Sequence, residues 1–285
     1  MFHAAANDPR ALESLLAFWA DAGVDATYAE APVDRTVAVA APLKAVTKRA
    51  PLPGQAPAAA PRPPIPSLAT PAPPPREDID DTISAARRAA AAAPDLAALE
   101  AAIAAFAGCG LKTAGARRAV FSRGNPAAPV MVVGEAPGAD EDAQGAPFVG
   151  RAGKLLDRMF AATGLTDRVF ITNTVFWRPP GNRTPTPDEQ AVCLPFVERA
   201  IALVRPKVLL LVGGASAKAM LKTNDGILSL HGRWFEWKSA DGSLEIPALP
   251  TLHPAFLLRQ PSAKKKSWED LLTLVERVDR RERGG

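Results

Sequence analysis

Between Val132 and Gly150 an apolar run opens into a stretch that carries Glu135, Asp140, Glu141 and Asp142, glycines at 134, 138, 145 and 150, and a single aromatic, Phe148. Carboxylates and one aromatic in a glycine-rich loop suit a ligand. The glycines permit positive φ and close backbone approach, and exposed N–H groups in such a loop can face an anion or a carbonyl oxygen. The preceding Ala128-Pro-Val-Met-Val-Val reads as a buried parallel strand, and ligands in open α/β sheets bind at the carboxyl ends of such strands. Two further polar groups stand at strand ends. Asn173 closes Phe170-Ile-Thr-Asn, and its amide both donates and accepts. His253 follows the last strand and precedes Pro254, whereas His3 lies at the terminus and His231 in a Leu-His-Gly turn. A phosphate- or dinucleotide-binding enzyme fits poorly, because Gly134-x-x-x-Gly138 is neither a Gly-x-Gly-x-x-Gly fingerprint nor a P-loop.

The elements that must hold these groups alternate. Strands are expected at Val130–Val133, Val169–Asn173, Lys207–Val212 and Pro247–Leu252. Helices are expected at Ala152–Thr163, Pro187–Val204 and Ala215–Leu221, with a last one from Ser267. This alternation argues for an α/β fold of three α/β/α layers around a central four-stranded parallel sheet. Thr186 as N-cap, Pro187 at N1 and Glu189 at N3 sign the start of one helix with a capping box. Upstream, the alanine-rich stretch from Asp80 to Phe106 reads as two helices broken near Ala93-Pro94-Asp95.

The chain has 285 residues, 47% of them hydrophobic, enough for a sizeable core. Eleven of its 29 prolines fall between Pro51 and Pro75, a composition that cannot bury enough surface to offset its ordering entropy. Three parts are therefore expected: an N-terminal helical segment at 1–30, a Pro/Ala-rich disordered linker at 31–77, and a catalytic domain at 78–285. Asp8 as N-cap, Pro9 at N1 and the stripe Leu12, Leu15, Leu16 and Trp19 mark the first helix, which either docks on the domain or engages a protein partner. A net charge of +4 fits a polyanion partner without demanding one. With no run of 18 apolar residues, no signal-peptide pattern and only Cys109 and Cys193, the expected setting is the cytoplasm, without a membrane and without a disulfide scaffold.

Four motifs in order resemble the family 4 uracil-DNA glycosylases: Gly134 through Gly150, Ile171-Thr-Asn-Thr-Val-Phe-Trp-Arg-Pro-Pro-Gly-Asn-Arg183, Val208-Leu-Leu-Leu-Val-Gly-Gly214, and Thr251-Leu-His-Pro-Ala-Phe-Leu-Leu-Arg259. The resemblance implies a monomeric enzyme that hydrolyses the N-glycosidic bond of deoxyuridine in DNA. Such chemistry creates a cationic sugar and an anionic departing base, and it needs the base extruded from the duplex. By resemblance Phe148 stacks on the uracil and Asn173 reads its edge. His253 donates to the O2 as charge develops, and Glu135 or Glu141 stabilises the sugar cation or orients the water. Gly134, Ala136, Pro137 and Gly138 complete the pocket, with Ala136 standing where the best-known branch carries a water-activating aspartate. Arg178, Arg183, Arg259 and Lys264 are expected against phosphate, and Leu257 as the wedge filling the gap left by the flipped nucleotide. The alternative is a uracil-DNA binding protein that turns over poorly. In one respect the chain departs from the family, whose members hold a [4Fe–4S] cluster on four cysteines. Phe106 and Trp177 occupy two of those positions, leaving Cys109 and Cys193, so no cofactor is expected and a small apolar core should replace the cluster.

Overall fold

Val130, Met131, Val132 and Val133 are all buried, which fits β2 (Val130–Gly134) to the middle of a sheet covered on both faces. It pairs in parallel with β3 (Val169–Asn173) on one side and β4 (Val208–Val212) on the other, and β4 pairs in parallel with β6 (Glu245–Thr251). These four are the expected parallel strands. The computed structural model, which describes residues 76–283, extends them to six. Antiparallel β1 (Ser122–Gly124) lies outside β3, and antiparallel β5 (Phe235–Lys238) outside β6. Strands of three and four residues, half of them exposed to water, leave no apolar run in the sequence by which to find them. β5 begins with Phe235 opposite Ala248, two residues short of Pro250, which has no N–H to offer a neighbour.

Alternation along each strand divides the core in two. Met131, Val133, Leu209, Leu211 and Ala248 face a layer built from α1 (Arg76–Ala91), α2 (Leu96–Ala105), α5 (Pro187–Val204) and α6 (Gly214–Leu221). Val130, Val132, Ile171, Leu210 and Leu249 face Leu156 and Phe160 of α4 (Arg151–Ala162) and Leu271, Leu274 and Val278 of α9 (Lys264–Arg283). Each such aliphatic or aromatic side chain contributes roughly 1.5–3 kcal/mol on full burial. Asp95 caps α2 through Ala98 N at 2.8 Å, which is the break expected between the first two helices. Thr186 and Glu189 form the expected capping box of α5. No helix among the described residues is long and apolar enough to cross a membrane. The helix expected over Asp8–Gly23 and the proline-rich stretch after it lie outside the described residues.

The residues present do not fit a four-thiolate cluster. Cys109 and Cys193 face each other with Sγ atoms 3.9 Å apart, and among the described residues no group of three or more His, Cys, Asp or Glu side chains converges to hold a metal. Phe106 packs edge-on against Phe196 at 5.2 Å between centroids, and Trp177 is buried against Phe176 in the same core. Donation to Cys109 and burial push the Cys193 thiol up, acceptance from Cys193 draws the Cys109 thiol down, and both side chains are buried away from any reagent. Native protein should therefore leave both thiols unreactive toward a disulfide reagent, while unfolded protein reacts at both. Anaerobic purification should yield a colourless protein, and stoichiometric iron with labile sulfide would sink the assignment.

Candidate active site

The register that pairs Gly134 with Asn173 brings two strand ends to one point. A Cβ on Gly134 would overlap both the Asn173 carbonyl oxygen and the edge of the Phe148 ring, so only glycine lets amide and ring converge there. Asn173 is 1% exposed, and its Oδ1 accepts no hydrogen bond. A buried acceptor without a donor costs roughly 1–3 kcal/mol, a cost that a ligand N–H would remove.

Phe148 is held in a left-handed conformation, φ 55°, unusual for an aromatic residue. Three contacts fix it. Arg123 donates to the carbonyls of Pro147 at 2.7 Å and Phe148 at 3.2 Å, and it also pairs with Asp157. Gly153 of α4 packs so closely on the Phe148 carbonyl that a side chain there would overlap it. Glu141 accepts from Val149 N and Gly150 N at 3.0 Å through Oε1, and from Gly138 N at 3.0 Å through Oε2. The loop expected here thus contains a helix, α3 (Ala139–Gln144), which Glu141 ties to both flanks. Asp142 is buried and accepts from Arg117 N at 2.8 Å, a loop-capping role.

His253 is the N-cap of α8 (Pro254–Arg259), and its Nδ1 accepts from Ala255 N at 3.1 Å. The ring proton therefore sits on Nε2. Burial, with Arg259 nearby, lowers the imidazole to about 4, so the side chain is neutral at ordinary pH. Its ring lies 5.8 Å from that of Phe148, tilted by 31°. The strand end behind it is anchored twice: Gly213 N donates to Thr251 O at 2.9 Å, and Thr251 Oγ1 donates to the buried Asp270 at 2.7 Å.

Phe148 and His253 line a cavity of about 560 Å³ with Glu135, Ala136, Pro137, Gly138, Thr184, Arg183 and Arg259, whereas Asn173 is not on its wall but buried behind it, against Gly134 and the Phe148 ring. Burial pushes the Glu135 carboxyl above its usual range, and a hydrogen bond from Thr184 draws it partly back. Thr184 was not anticipated, and neither was Arg123; one sits among stiffening prolines and the other in a three-residue strand, with no motif around either. Two of the three arginines expected on phosphate are engaged by side chains of their own loop and of the start of α5. Arg183 forms a two-pronged pair with Glu189 at 2.8 and 2.6 Å, and Arg178 donates to Asn182 at 2.7 Å. Leu257, expected as the wedge, is fully buried on α8, a helix that packs on α4, and its neighbour Leu258 is 39% exposed. Lys264 stands exposed at the start of α9.

Residues 121–272 match the family model described as the uracil DNA glycosylase superfamily. The chain is 42% identical to a type-4 uracil-DNA glycosylase of Sulfurisphaera tokodaii over 164 residues, covering 55% of this chain and 74% of that protein. It is 39% identical to one of Saccharolobus solfataricus, covering 56% and 76%, and 38% identical to one of Thermotoga maritima, covering 50% and 73%.

Because the folded imidazole titrates near 4 and the unfolded one near 6.5, the unfolded chain binds the extra proton first as pH falls. Stability from burying the neutral ring is complete above about pH 6.5 and disappears toward pH 4. Nitrogen-resolved NMR of His253 should show the Nε2–H form at pH 6 and a midpoint near 4; a midpoint at the ordinary histidine value would contradict the environment described.

Proposed function

The chain belongs to the uracil DNA glycosylase superfamily, and from that premise we propose how its cavity hydrolyses the N-glycosidic bond of deoxyuridine in DNA, releasing uracil and leaving an abasic site. The flipped uracil enters between Phe148 and His253. Phe148 covers its face, and the Asn173 Oδ1 accepts from uracil N3–H while the amide nitrogen donates to O4. Cytosine presents an acceptor at N3 and a donor at C4, and it would leave both halves of the amide mismatched. The observation that carries the reading is the buried, unpartnered Asn173 Oδ1, which meets the edge of the Phe148 ring at Gly134, behind a cavity that Phe148 lines together with the neutral imidazole of His253.

As the bond breaks, negative charge moves onto the base and positive charge onto the sugar. His253 Nε2–H donates to uracil O2, a fixed dipole aimed where charge appears, worth a factor of about 10²–10³ by analogy with single oxyanion donors. A neutral imidazole does this without attracting the uncleaved base more strongly than the departing one. Glu135 lines the cavity, and its carboxylate is the group suited to stabilise the sugar cation and hold the attacking water. Glu141 has both oxygens occupied by backbone donors, which supports a positioning role through the Phe148 loop. The wedge role passes to Leu258, the exposed leucine of α8. The reading extends to a cytoplasmic monomer with a catalytic domain at 78–285 and a helical segment at 1–30 whose apolar stripe, residues 12–19, either docks on that domain or engages a protein partner.

His253→Ala should lower single-turnover uracil release by about 10²–10³ with folding intact. Asn173→Asp should lose preference for uracil, since a carboxylate accepts but cannot donate. Parent-like cleavage by both variants would remove the assignment. Leu258→Ala should slow cleavage of a duplex more than of a single strand, because only the duplex must be unstacked and unpaired. Leu257→Ala should instead lower stability by about 2–5 kcal/mol and leave the duplex-to-single-strand ratio alone.

A further inference from the structure

Helix α4 touches two concavities along one stripe. Ala152 lines the candidate active site, and Leu155 and Met159, three and seven residues further along, line a second groove of about 330 Å³. Residues at that spacing share a helix face, and seven residues span roughly 10 Å. The opposite wall follows the same course, from Arg259 at the active-site rim to Lys264, Lys265 and Trp268 on α9. The groove is therefore a continuation of the proposed DNA face.

Its chemistry is an aromatic plate between cations. Trp268 is 39% exposed, an unusual position for a large ring on a helix that buries Leu271, Leu274 and Val278 on its inner side. The floor, Leu155 and Met159, is apolar and half-buried. Lys265 makes only a long, exposed contact with Glu269 at 4.0 Å, and Lys264 and Lys266 pair with no carboxylate among the described residues. Bases offer apolar faces and phosphates offer negative charge, and proteins that hold single strands combine a positive track with aromatic stacking. A protein segment would equally bury the ring, but it would have to be acidic, and it gives no reason for the groove to begin at the active site.

We infer that Trp268, with Lys264 and Lys265, is a stacking platform for an unpaired base of the DNA strand beside the extruded uracil. The inference rests on the proposed glycosylase reading for its substrate, and it adds a site for single-stranded DNA outside the catalytic cavity. A paired base cannot present its face to the ring, so the platform acts on single strands, frayed ends and gaps and is silent on an intact duplex.

The test uses the full chain and a fluorescent, uracil-free oligothymidylate of about twelve nucleotides, within the length that one such groove engages. Trp268→Ala should weaken its binding about tenfold, in line with the loss of one stacked base, and Trp268→Phe should restore most of it. Lys264→Glu should weaken binding and flatten its salt dependence. Binding of a blunt, uracil-free duplex should change less than twofold in Trp268→Ala. Unchanged oligothymidylate binding by Trp268→Ala overturns the platform, as does an equal loss on the duplex; an acidic, apolar peptide that binds the parent but not that variant would then identify the occupant as protein. If the parent chain releases no uracil yet loses oligothymidylate binding in Trp268→Ala, the glycosylase reading fails and the platform stands.

Discussion

One carboxylate holds the active-site loop in shape. Glu141 accepts three backbone N–H groups from both sides of its own short helix, and those bonds fix the start of that helix and the two residues that follow Phe148. A charged acceptor of this kind contributes roughly 1.5–3 kcal/mol per bond, enough to offset the strain of an aromatic residue at φ 55°. With Phe148 fixed, the ring can close over Gly134 and Asn173 and face His253. The acid-rich loop thus divides its labour: Glu141 and Asp142 are bound to the backbone, and Glu135 is left at the cavity wall.

The fold was legible where a signal had a period or a cap. Buried runs such as Val130–Val133 and the Thr186–Glu189 box produced elements within a residue or two of those expected. Edge strands β1 and β5 escaped because three and four residues are too few to show a period, and α3 escaped because its acids lie between Gly138 and Gly145 and read as loop. Within the site, the residues at strand ends were legible, since chain direction alone puts Asn173 and His253 on the same rim of the sheet. Side-chain direction within a helix was not. The choice between Leu257 and Leu258 turns on 100° of rotation about α8, which is decided by its packing on α4 and carries no mark in the residues themselves. Likewise, nothing in Arg183 announces that Glu189, six residues on, will occupy its guanidinium.

Electrostatics in the cavity are arranged by burial more than by pairing. Burial pushes His253 toward its neutral form and raises Glu135, so the site presents one uncharged donor and one carboxylate with a hydroxyl partner. Burial thus favours the neutral form of both groups, and the Thr184 hydroxyl draws Glu135 back toward the carboxylate. The cysteine pair sits in the opposite layer, among aromatic groups that make no polar demand.

The sheet's outline has a consequence for the chain in company. All four long parallel strands are interior, and the rims are a three-residue strand ending at Gly124 and a four-residue strand carrying Glu236 and Lys238. Beyond the second rim, Pro250 withholds a main-chain donor where β6 becomes uncovered, and Gly232 N takes the free carbonyl at 3.1 Å. A foreign strand approaching either side meets too few open hydrogen-bonding groups to form a ladder. Among the described residues, strands rich enough in valine and leucine to template amyloid are thereby sealed behind short borders, and this sheet offers crowded copies no long seam along which to zip together.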